Sequence, residues 1–244
     1  MRNLRIEVCY EGTRYKGWQR LTANDSTIQG KLESVLTRLL GEPIEVSGSG
    51  RTDAGTHARK QVANFHCNSK MTCTDILSGL RMYLPEDIGV YSCKDVSSRF
   101  HARLNAKEKT YCYRLWNTDE PCVFERKYVH KDARDFDLDA MQRAAQNFVG
   151  THDFSAFCGN NHMKKSTVRA IRSFEIVKAE NELHFVVTGN GFLQHMVRIM
   201  VGTLLEVGLG EREPDSIVDL FGAPREKAGG AVPACGLCLM EVIY

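Results

Sequence analysis

Several features that would place this chain in a specialised class are missing from its sequence. No apolar run among the 244 residues is long enough to span a membrane. Residues 1–4 lead directly into a strand-like pattern, so we expect no signal peptide. The net charge is only +2, which is too small to establish a polyanionic partner. Hydrophobic residues make up 43%, enough for the core of one large domain or two small ones.

The cysteines lack the pattern of a disulfide framework or of a zinc site. There are nine, an odd number, and they are widely scattered, which favours reduced thiols and a cytoplasmic location. Cys235 and Cys238 form the only close pair, whereas a structural zinc ion needs four ligands. We therefore interpret this pair as small apolar strand residues and expect no metal.

Strand and helix patterns are mixed along the chain without the strict alternation of a parallel sheet protein. Alternating or apolar runs predict strands near residues 4–8, 44–46, 61–66, 88–96, 108–117, 170–178, 182–188 and 236–244. The strands 170–178 and 182–188 are expected to form a hairpin around Glu180 and Asn181. Helical spacing predicts helices over residues 28–39, 74–84, 138–148 and 192–207. A capping box over residues 26–29, starting at Ser26, begins the first helix and Gly41 ends it, and Asp137 is a candidate cap of the third. The predicted fold class is therefore α+β, with two similar halves, residues 1–100 and 101–244, sharing a largely antiparallel central sheet.

The run from Gly50 to Ala58 reads Gly-Arg-Thr-Asp-Ala-Gly-Thr-His-Ala and is the strongest functional signal. It places one carboxylate, Asp53, among glycines that allow unusual backbone geometry and the close approach of a ligand. Arg51 brings a permanent cation within two residues, which favours an ionised carboxylate. Such an aspartate can act as a nucleophile or a base. A polar turn in which Asp53 is only a cap explains the same residues.

Basic residues form three local groups although the total charge is nearly balanced. One group surrounds Asp53, one frames the predicted strand with Tyr111 and Tyr113, and one lies near residue 165. They are Arg51, Arg59 and Lys60; Arg99, Arg103, Lys107, Lys109 and Arg114; and Lys164, Lys165, Arg169 and Arg172. Basic residues interleaved with Tyr and His suit RNA, through phosphate contacts and base stacking. Solvated surface faces are the alternative interpretation.

An isolated cation also lies in the apolar segment 192–202. A buried arginine is costly unless a carboxylate pairs with it, so we expect Arg198 to pair with Asp53. Tyr111 is expected either to pack in the core or to present its ring and hydroxyl at the mouth of a cleft. His195 fits a hydrogen-bonded core position better than a metal ligand.

Two other function classes remain open on the residues alone. A non-catalytic RNA-binding module would use Tyr111 and Tyr113 as a stacking platform. A metal-dependent hydrolase would use Asp53, His57 and His66, although these residues show no recognised ligand spacing.

Motifs along nearly the whole chain resemble the TruA family of tRNA pseudouridine synthases. Residues 50–58 resemble the family's signature, and further motifs follow in the family's order. These are Tyr15–Arg20, Arg99–Arg103, Lys109–Arg114, His152–Ser155 and Gly191–Arg198. Several separate motifs in the same order make the resemblance specific.

The resemblance implies a role for five residues. Asp53 is implied to be the catalytic nucleophile, and Tyr111 the tyrosine that contacts the target base. Arg198 is implied to pair with the aspartate, and Arg51 to intrude into the RNA and help to extrude the target. Leu237 is implied to line the uracil pocket.

The resemblance further implies an α+β homodimer that acts on uridines 38, 39 and 40 of the tRNA anticodon arm and needs no cofactor. Departures from the family pattern are local. Thr56 stands where valine is usual, Cys235 and Cys238 replace residues that are usually His and Tyr, and residues 21–25 differ from the usual N-terminal loop. None of these departures removes a reacting group.

Overall fold

The structure, a computed structural model, describes residues 1–21, 26–160 and 163–244. Four residues of the unusual loop at 21–25 therefore lie outside the described residues. The chain forms two compact units. The first unit contains Met1–Lys107 and Leu239–Tyr244, and the second contains Glu108–Cys238. The division into residues 1–100 and 101–244 stays a prediction of domain organisation.

Strands and helices alternate irregularly along the chain. The elements up to residue 107 are β1 (Arg2–Tyr10), α1 (Ile28–Leu40), β2 (Val46–Gly48), β3 (His57–Cys67), α2 (Cys73–Tyr83) and β4 (Ile88–Val96). Those that follow are β5 (Glu108–Trp116), β6 (His130–Lys131), α3 (Leu138–Gln146), β7 (Gly150–Asp153), β8 (Val168–Ala179), β9 (Glu182–Gly189), α4 (Met196–Gly208) and β10 (Leu237–Ile243).

The sheet of the first unit has the strand order β4-β1-β3-β10, and β2 also pairs with β3. Strand β1 is antiparallel to both β3 and β4. Its alternate residues Leu4, Ile6 and Val8 are fully buried, as the period of two predicts. Antiparallel pairing on both sides of β1 agrees with the predicted sheet.

Helix α1 shows where a capping prediction was wrong by one residue. The pattern at residues 26–29 predicted a capping box starting at Ser26. The side chain of Thr27 instead accepts a hydrogen bond from the Gly30 amide at 3.2 Å, and the helix begins at Ile28. The end is as predicted, because Gly41 adopts φ +72°, where glycine is favoured, and its amide donates to the Thr37 carbonyl.

The sheet of the second unit has the strand order β5-β9-β8-β7, with antiparallel pairs throughout, and β6 pairs in parallel with β5. Strands β8 and β9 form the predicted hairpin, which turns at Glu180 and Asn181. Asp137 caps α3 as expected, accepting the Ala140 amide at 2.8 Å. The predicted α+β class with a largely antiparallel sheet is therefore confirmed.

Helix α4 is a core helix in which most side chains are buried. The sequence predicted a start at Phe192, but the helix begins at Met196. The reason is His195, whose φ of +60° is incompatible with a right-handed helix. A methyl group on Gly159 would lie 2.5 Å from the His195 Nδ1, so the imidazole ring rests on glycine backbone. Among the described residues, each helix is too short or too polar to cross a lipid bilayer.

Candidate functional site

Asp53 begins a tight turn in the loop between β2 and β3. Its carbonyl accepts the Thr56 amide at 3.1 Å. Gly55, the third residue of the turn, has φ +78°, a conformation that side-chain-bearing residues rarely adopt. The Asp53 side chain is half-buried. The turn therefore holds the aspartate at a defined point while leaving part of it accessible.

The start of the loop is fixed by buried polar contacts to β3. The Ser49 amide donates to the Val62 carbonyl at 2.7 Å, and the Ser49 hydroxyl donates to Gln61 Oε1 at 2.5 Å. The other end of the same amide, Gln61 Nε2, donates to the Gly50 carbonyl at 3.1 Å. Ser49 and Gln61 are fully buried. The backbone leading into Arg51 is therefore tied to a central strand.

A second segment, residues 11–18, braces the loop from the side of β1. The Trp18 amide donates to the Thr52 carbonyl at 3.1 Å, and the Gly55 amide donates to the Tyr15 carbonyl at 3.2 Å. Gly17 has φ +91°, and a methyl group there would lie 2.6 Å from the Thr52 carbonyl oxygen. The sequence alone suggests no role for the Tyr15–Arg20 motif. The structure shows that it holds the residues on both sides of Asp53.

Buried side chains lock this brace in place. Thr52 Oγ1 and the Tyr10 hydroxyl lie 2.9 Å apart in a hydrogen bond. The Trp18 ring is 2% exposed and packs on Gly48, where a methyl group would lie 2.5 Å from Trp18 Cε2. Both contacts reach the loop from well-packed parts of the first unit, so the Asp53 turn is preorganised rather than mobile.

In the second unit, Tyr111 and Tyr113 lie two residues apart on β5. The Tyr111 ring is 7% exposed and meets Phe192 edge-on, with ring centroids 5.1 Å apart. Tyr113 is fully buried, and its hydroxyl donates to the Pro233 carbonyl at 3.0 Å. Burial raises the pKa of Tyr113 far above its ordinary value. A stacking platform made of both rings is therefore wrong, because Tyr113 offers no face to a base.

Arg198 lies in the first turn of α4 and is half-buried. Its Nε donates to the Val232 carbonyl at 2.7 Å, and its own carbonyl accepts the Val232 amide at 3.2 Å. Burial raises the pKa of the Cys235 thiol, and the Arg198 cation opposes that rise. The pairing of Arg198 with Asp53 stays a prediction.

Leu237 opens β10 and is 5% exposed. It follows Gly236, where a methyl group would lie 2.7 Å from Tyr113 Cζ. The second unit therefore brings three sequence-selected features together: the tyrosine strand, Arg198, and the segment 232–237. Asp53 and Arg51 belong to the first unit.

Comparison with known proteins settles the family. The model of the tRNA pseudouridine synthase family matches residues 7–105 and 144–244. The tRNA pseudouridine synthase A of Bacillus sp. (strain KSM-64) is 45% identical over the full length of both chains. The tRNA pseudouridine synthase A 1 of Clostridium tetani (strain Massachusetts / E88) is 46% identical, again with complete coverage of both.

This chain belongs to the tRNA pseudouridine synthase family.

A solved structure is also similar at a much lower level. It is a chain in the crystal structure of a Cbf5-Nop10-Gar1 complex. The match covers 83% of the present chain and 45% of the chain in that complex, with 12% identity and a TM-score of 0.38. A similarity of this size adds nothing to the assignment, which rests on the family model and the full-length relatives. As a tRNA pseudouridine synthase, the chain is an isomerase.

The departure from the usual tRNA pseudouridine synthase pattern at Thr56 has a measurable consequence. Thr56 is 2% exposed, and its Oγ1 has no hydrogen-bond partner among the described residues. Burying an unsatisfied hydroxyl costs free energy, whereas valine has the same shape without it. We expect Thr56→Val to raise the free energy of unfolding by about 1 kcal/mol in urea titrations.

Thr52→Val is the matched control for this substitution. Thr52 is a buried threonine of the same loop, but its hydroxyl is bonded to Tyr10, so the same change should lower the free energy of unfolding. A loss of stability in Thr56→Val would show that its hydroxyl is satisfied.

Basic residues near Asp53 in this synthase are exposed. The exposed residues are Arg51, Arg59 and Lys60. The Lys60 Nζ lies 3.8 Å from the Glu241 Oε1. Lys164 and Lys165 of the third basic group are exposed as well. In contrast, Arg114 is half-buried and makes two hydrogen bonds to Glu182, so it serves the second unit's own structure.

The metal-hydrolase alternative finds no support in the part of the chain that the structure describes. There, no group of three or more His, Cys, Asp or Glu side chains converges to hold a metal ion. His57 is buried and its Nδ1 accepts the Gly12 amide at 3.0 Å, whereas His66 is exposed near the far end of β3. Asp53, His57 and His66 therefore do not form a ligand set.

Proposed function

We propose that this tRNA pseudouridine synthase isomerises uridine to pseudouridine at positions 38, 39 and 40 of the anticodon stem-loop, in the cytoplasm and without a cofactor. The observation that carries the proposal is the Asp53 turn. It presents one half-buried aspartate on a loop fixed by β3 and by residues 11–18. Preorganisation of this kind is what a reacting group needs.

The chemistry matches these residues. Pseudouridine formation breaks the N-glycosidic bond, rotates the uracil and rejoins it through C5, which then loses its hydrogen as a proton. No electrons are gained or lost overall, so the reaction needs no redox partner. Asp53 is proposed as the nucleophile, acting on the sugar or on the base.

Four further residues are proposed to handle the substrate. Tyr111 contacts the flipped base and Leu237 lines the uracil pocket. Arg198 orients the aspartate, and Arg51 fills the space that the base vacates. The exposed position of Arg51 and the fixed guanidinium of Arg198 support these roles.

Position-specific transcripts test the site of modification. Unmodified tRNA transcripts carrying tritium at C5 of a single uridine, at position 38, 39 or 40 or at a distant stem position, are incubated with the enzyme. We expect tritium release from the first three and none from the fourth. Release from the distant position alone would contradict the proposed target while leaving the family assignment intact.

Arg51→Ala should distinguish base extrusion from other roles of this arginine. Unstacking a paired uridine costs a few kcal/mol, and a side chain that occupies the gap offsets part of that cost. We expect kcat/KM to fall at least about tenfold on a stem-loop with a paired target, and much less on one whose target is mismatched. Equal losses on both substrates would indicate that Arg51 acts on Asp53 or on a phosphate.

The functional unit is proposed to be a homodimer. An anticodon arm is long compared with one cleft, and the basic groups are far apart in the sequence. Light scattering at micromolar concentration should give about twice the 27.5 kDa mass of the chain. A mass of 27.5 kDa for fully active enzyme would contradict the dimer.

A further inference from the structure

Asp87 lies directly before β4 and has a mostly buried carboxylate with two partners. The Tyr15 hydroxyl donates to its Oδ1 at 2.6 Å, and Arg14 forms an ion pair with its Oδ2. The Asp87 side chain is 11% exposed, whereas that of Arg14 is 61% exposed. One carboxylate therefore joins a buried neutral donor and a solvated cation.

Tyr15 is connected to the Asp53 turn through its main chain. Its side chain is 4% exposed, so the ring is fixed by packing as well as by Asp87. Its carbonyl accepts the Gly55 amide at 3.2 Å, and its amide donates to the Gly12 carbonyl at 2.9 Å. Movement of the Tyr15 ring would therefore displace the acceptor that holds the Gly55 side of the turn.

The Tyr15 hydroxyl remains a donor throughout the working pH range. Burial, together with the hydrogen bond to Asp87, raises the pKa of Tyr15 to about 12. Asp87 is itself fixed by its main chain, because its carbonyl accepts the Glu11 amide at 2.9 Å next to the β1–β4 pair. The contact thus links the loop before β4 to the turn that carries Asp53.

We propose that Tyr15 and Asp87 are positioning residues for Asp53, acting as one hydrogen-bonded unit that sets the place of the catalytic turn. This inference rests on the proposed function, in which Asp53 is the reacting group. A displacement of about 1 Å at a reacting group can cost on the order of 100-fold in rate. Loss of the contact should therefore lower kcat while leaving substrate affinity nearly unchanged.

Arg14 provides the internal control. It shares the carboxylate of Asp87, but its side chain is mostly solvated, and exposed ion pairs contribute little. Arg14→Met should therefore leave kcat close to that of the unaltered enzyme. Tyr15→Phe removes one oxygen atom from the other partner of the same carboxylate and keeps the ring.

The experiment measures tritium release from a C5-tritiated stem-loop by five variants of the full chain, including Arg14→Met. We expect Tyr15→Phe and Asp87→Leu each to lower kcat about tenfold or more, with little change in KM. Combining them should cost no more than either alone, because they act as a unit. Asp87→Asn keeps an acceptor for the Tyr15 hydroxyl and should recover most of the rate.

Hydrogen exchange separates positioning from a general loss of stability. In Tyr15→Phe, the Gly55 amide should exchange faster while amides of β1 keep their protection. Faster exchange throughout the first unit, with kcat unchanged when measured on folded enzyme, would overturn the proposal. An unchanged kcat in both Tyr15→Phe and Asp87→Leu would also overturn it.

Asp53→Asn, measured in parallel, keeps this test distinct from the test of function. If Asp53→Asn retains activity, the proposed role of Asp53 fails, and the positioning role fails with it. If Asp53→Asn is inactive and Tyr15→Phe is fully active, only the positioning role of Tyr15 and Asp87 is wrong.

Discussion

An Asp53→Asn enzyme should fold, bind tRNA with unchanged affinity and make no pseudouridine. Asparagine keeps the size of the side chain and can sit in the same turn, because the Asp53 carbonyl that accepts the Thr56 amide is retained. It lacks the negative charge and the nucleophilic oxygen pair that the reaction needs. Removing a nucleophile in other enzymes lowers kcat by at least about 10⁴-fold, and we expect a loss of that size.

Asp95→Asn is the matched control for Asp53→Asn. Asp95 also belongs to the first unit, and the hydrogen bond from Arg2 lowers its pKa to about 2, so it is an ionised carboxylate. Its replacement should leave the rate of tritium release unchanged. Turnover by Asp53→Asn near that of the unaltered enzyme would show that another group attacks the substrate.

Arg198→Met should produce the second large loss, in catalysis rather than in binding. The Arg198 guanidinium is half-buried and held by its own Nε–H to the Val232 carbonyl, so it is a fixed cation rather than a mobile surface charge. Its proposed role is to orient Asp53, and a displacement of about 1 Å at a reacting group can cost on the order of 100-fold in rate. Methionine retains much of the aliphatic stem, so α4 should keep its packing.

For Arg198→Met, single-turnover rates measure the loss in catalysis and filter binding measures any loss in tRNA affinity. Arg212→Met is the control, because Arg212 is also part-buried and donates to Glu206 at 2.9 Å and to the Lys227 carbonyl at 2.9 Å. An equal loss in Arg212→Met would trace the effect to damage in the second unit. Weakened tRNA binding with an unchanged single-turnover rate would make Arg198 a phosphate contact.

The sequence predicted the elements whose signals are local. Helix α1 followed from its helical spacing and Gly41, and the β8–β9 hairpin from its alternation around Glu180 and Asn181. The predicted start of α4 was wrong because His195 adopts a left-handed conformation that ends the preceding segment. His195 packs against Gly159, a residue distant in the chain. Residue type alone carries no sign of such a contact.

The residues of the candidate site also fall into those that the sequence revealed and those that it did not. Asp53 and Arg198 stood out because a carboxylate among glycines and a cation in an apolar helix conflict with ordinary packing. The residues that hold the Asp53 turn did not stand out. Tyr15 and Trp18 act on it through main-chain groups, which every residue possesses, and Asp87 meets Tyr15 across 72 positions of sequence. Spacing rules within one element cannot reveal such contacts.

The assignment of residues 239–244 to the first unit has a consequence for protein synthesis. Strand β10 pairs beside β3, the Tyr244 hydroxyl donates to the Ala102 carbonyl at 2.7 Å, and the Lys107 amide donates to the Ile243 carbonyl at 2.8 Å. Residues 239–244 are translated after the whole second unit. At about 5–20 residues per second, the nascent first unit waits on the order of ten seconds for its final strand.

During that interval one edge of β3 in the nascent chain is unpaired, because the β10 residues that pair with it are not yet synthesised. Unpaired strand edges are templates for association with other chains, so this is the period in which a ribosome-bound chain is most exposed to aggregation and to chaperones. The turn that carries Asp53 leads directly into β3. Covering this edge of β3 therefore depends on residues 239–244, which are synthesised after the whole second unit.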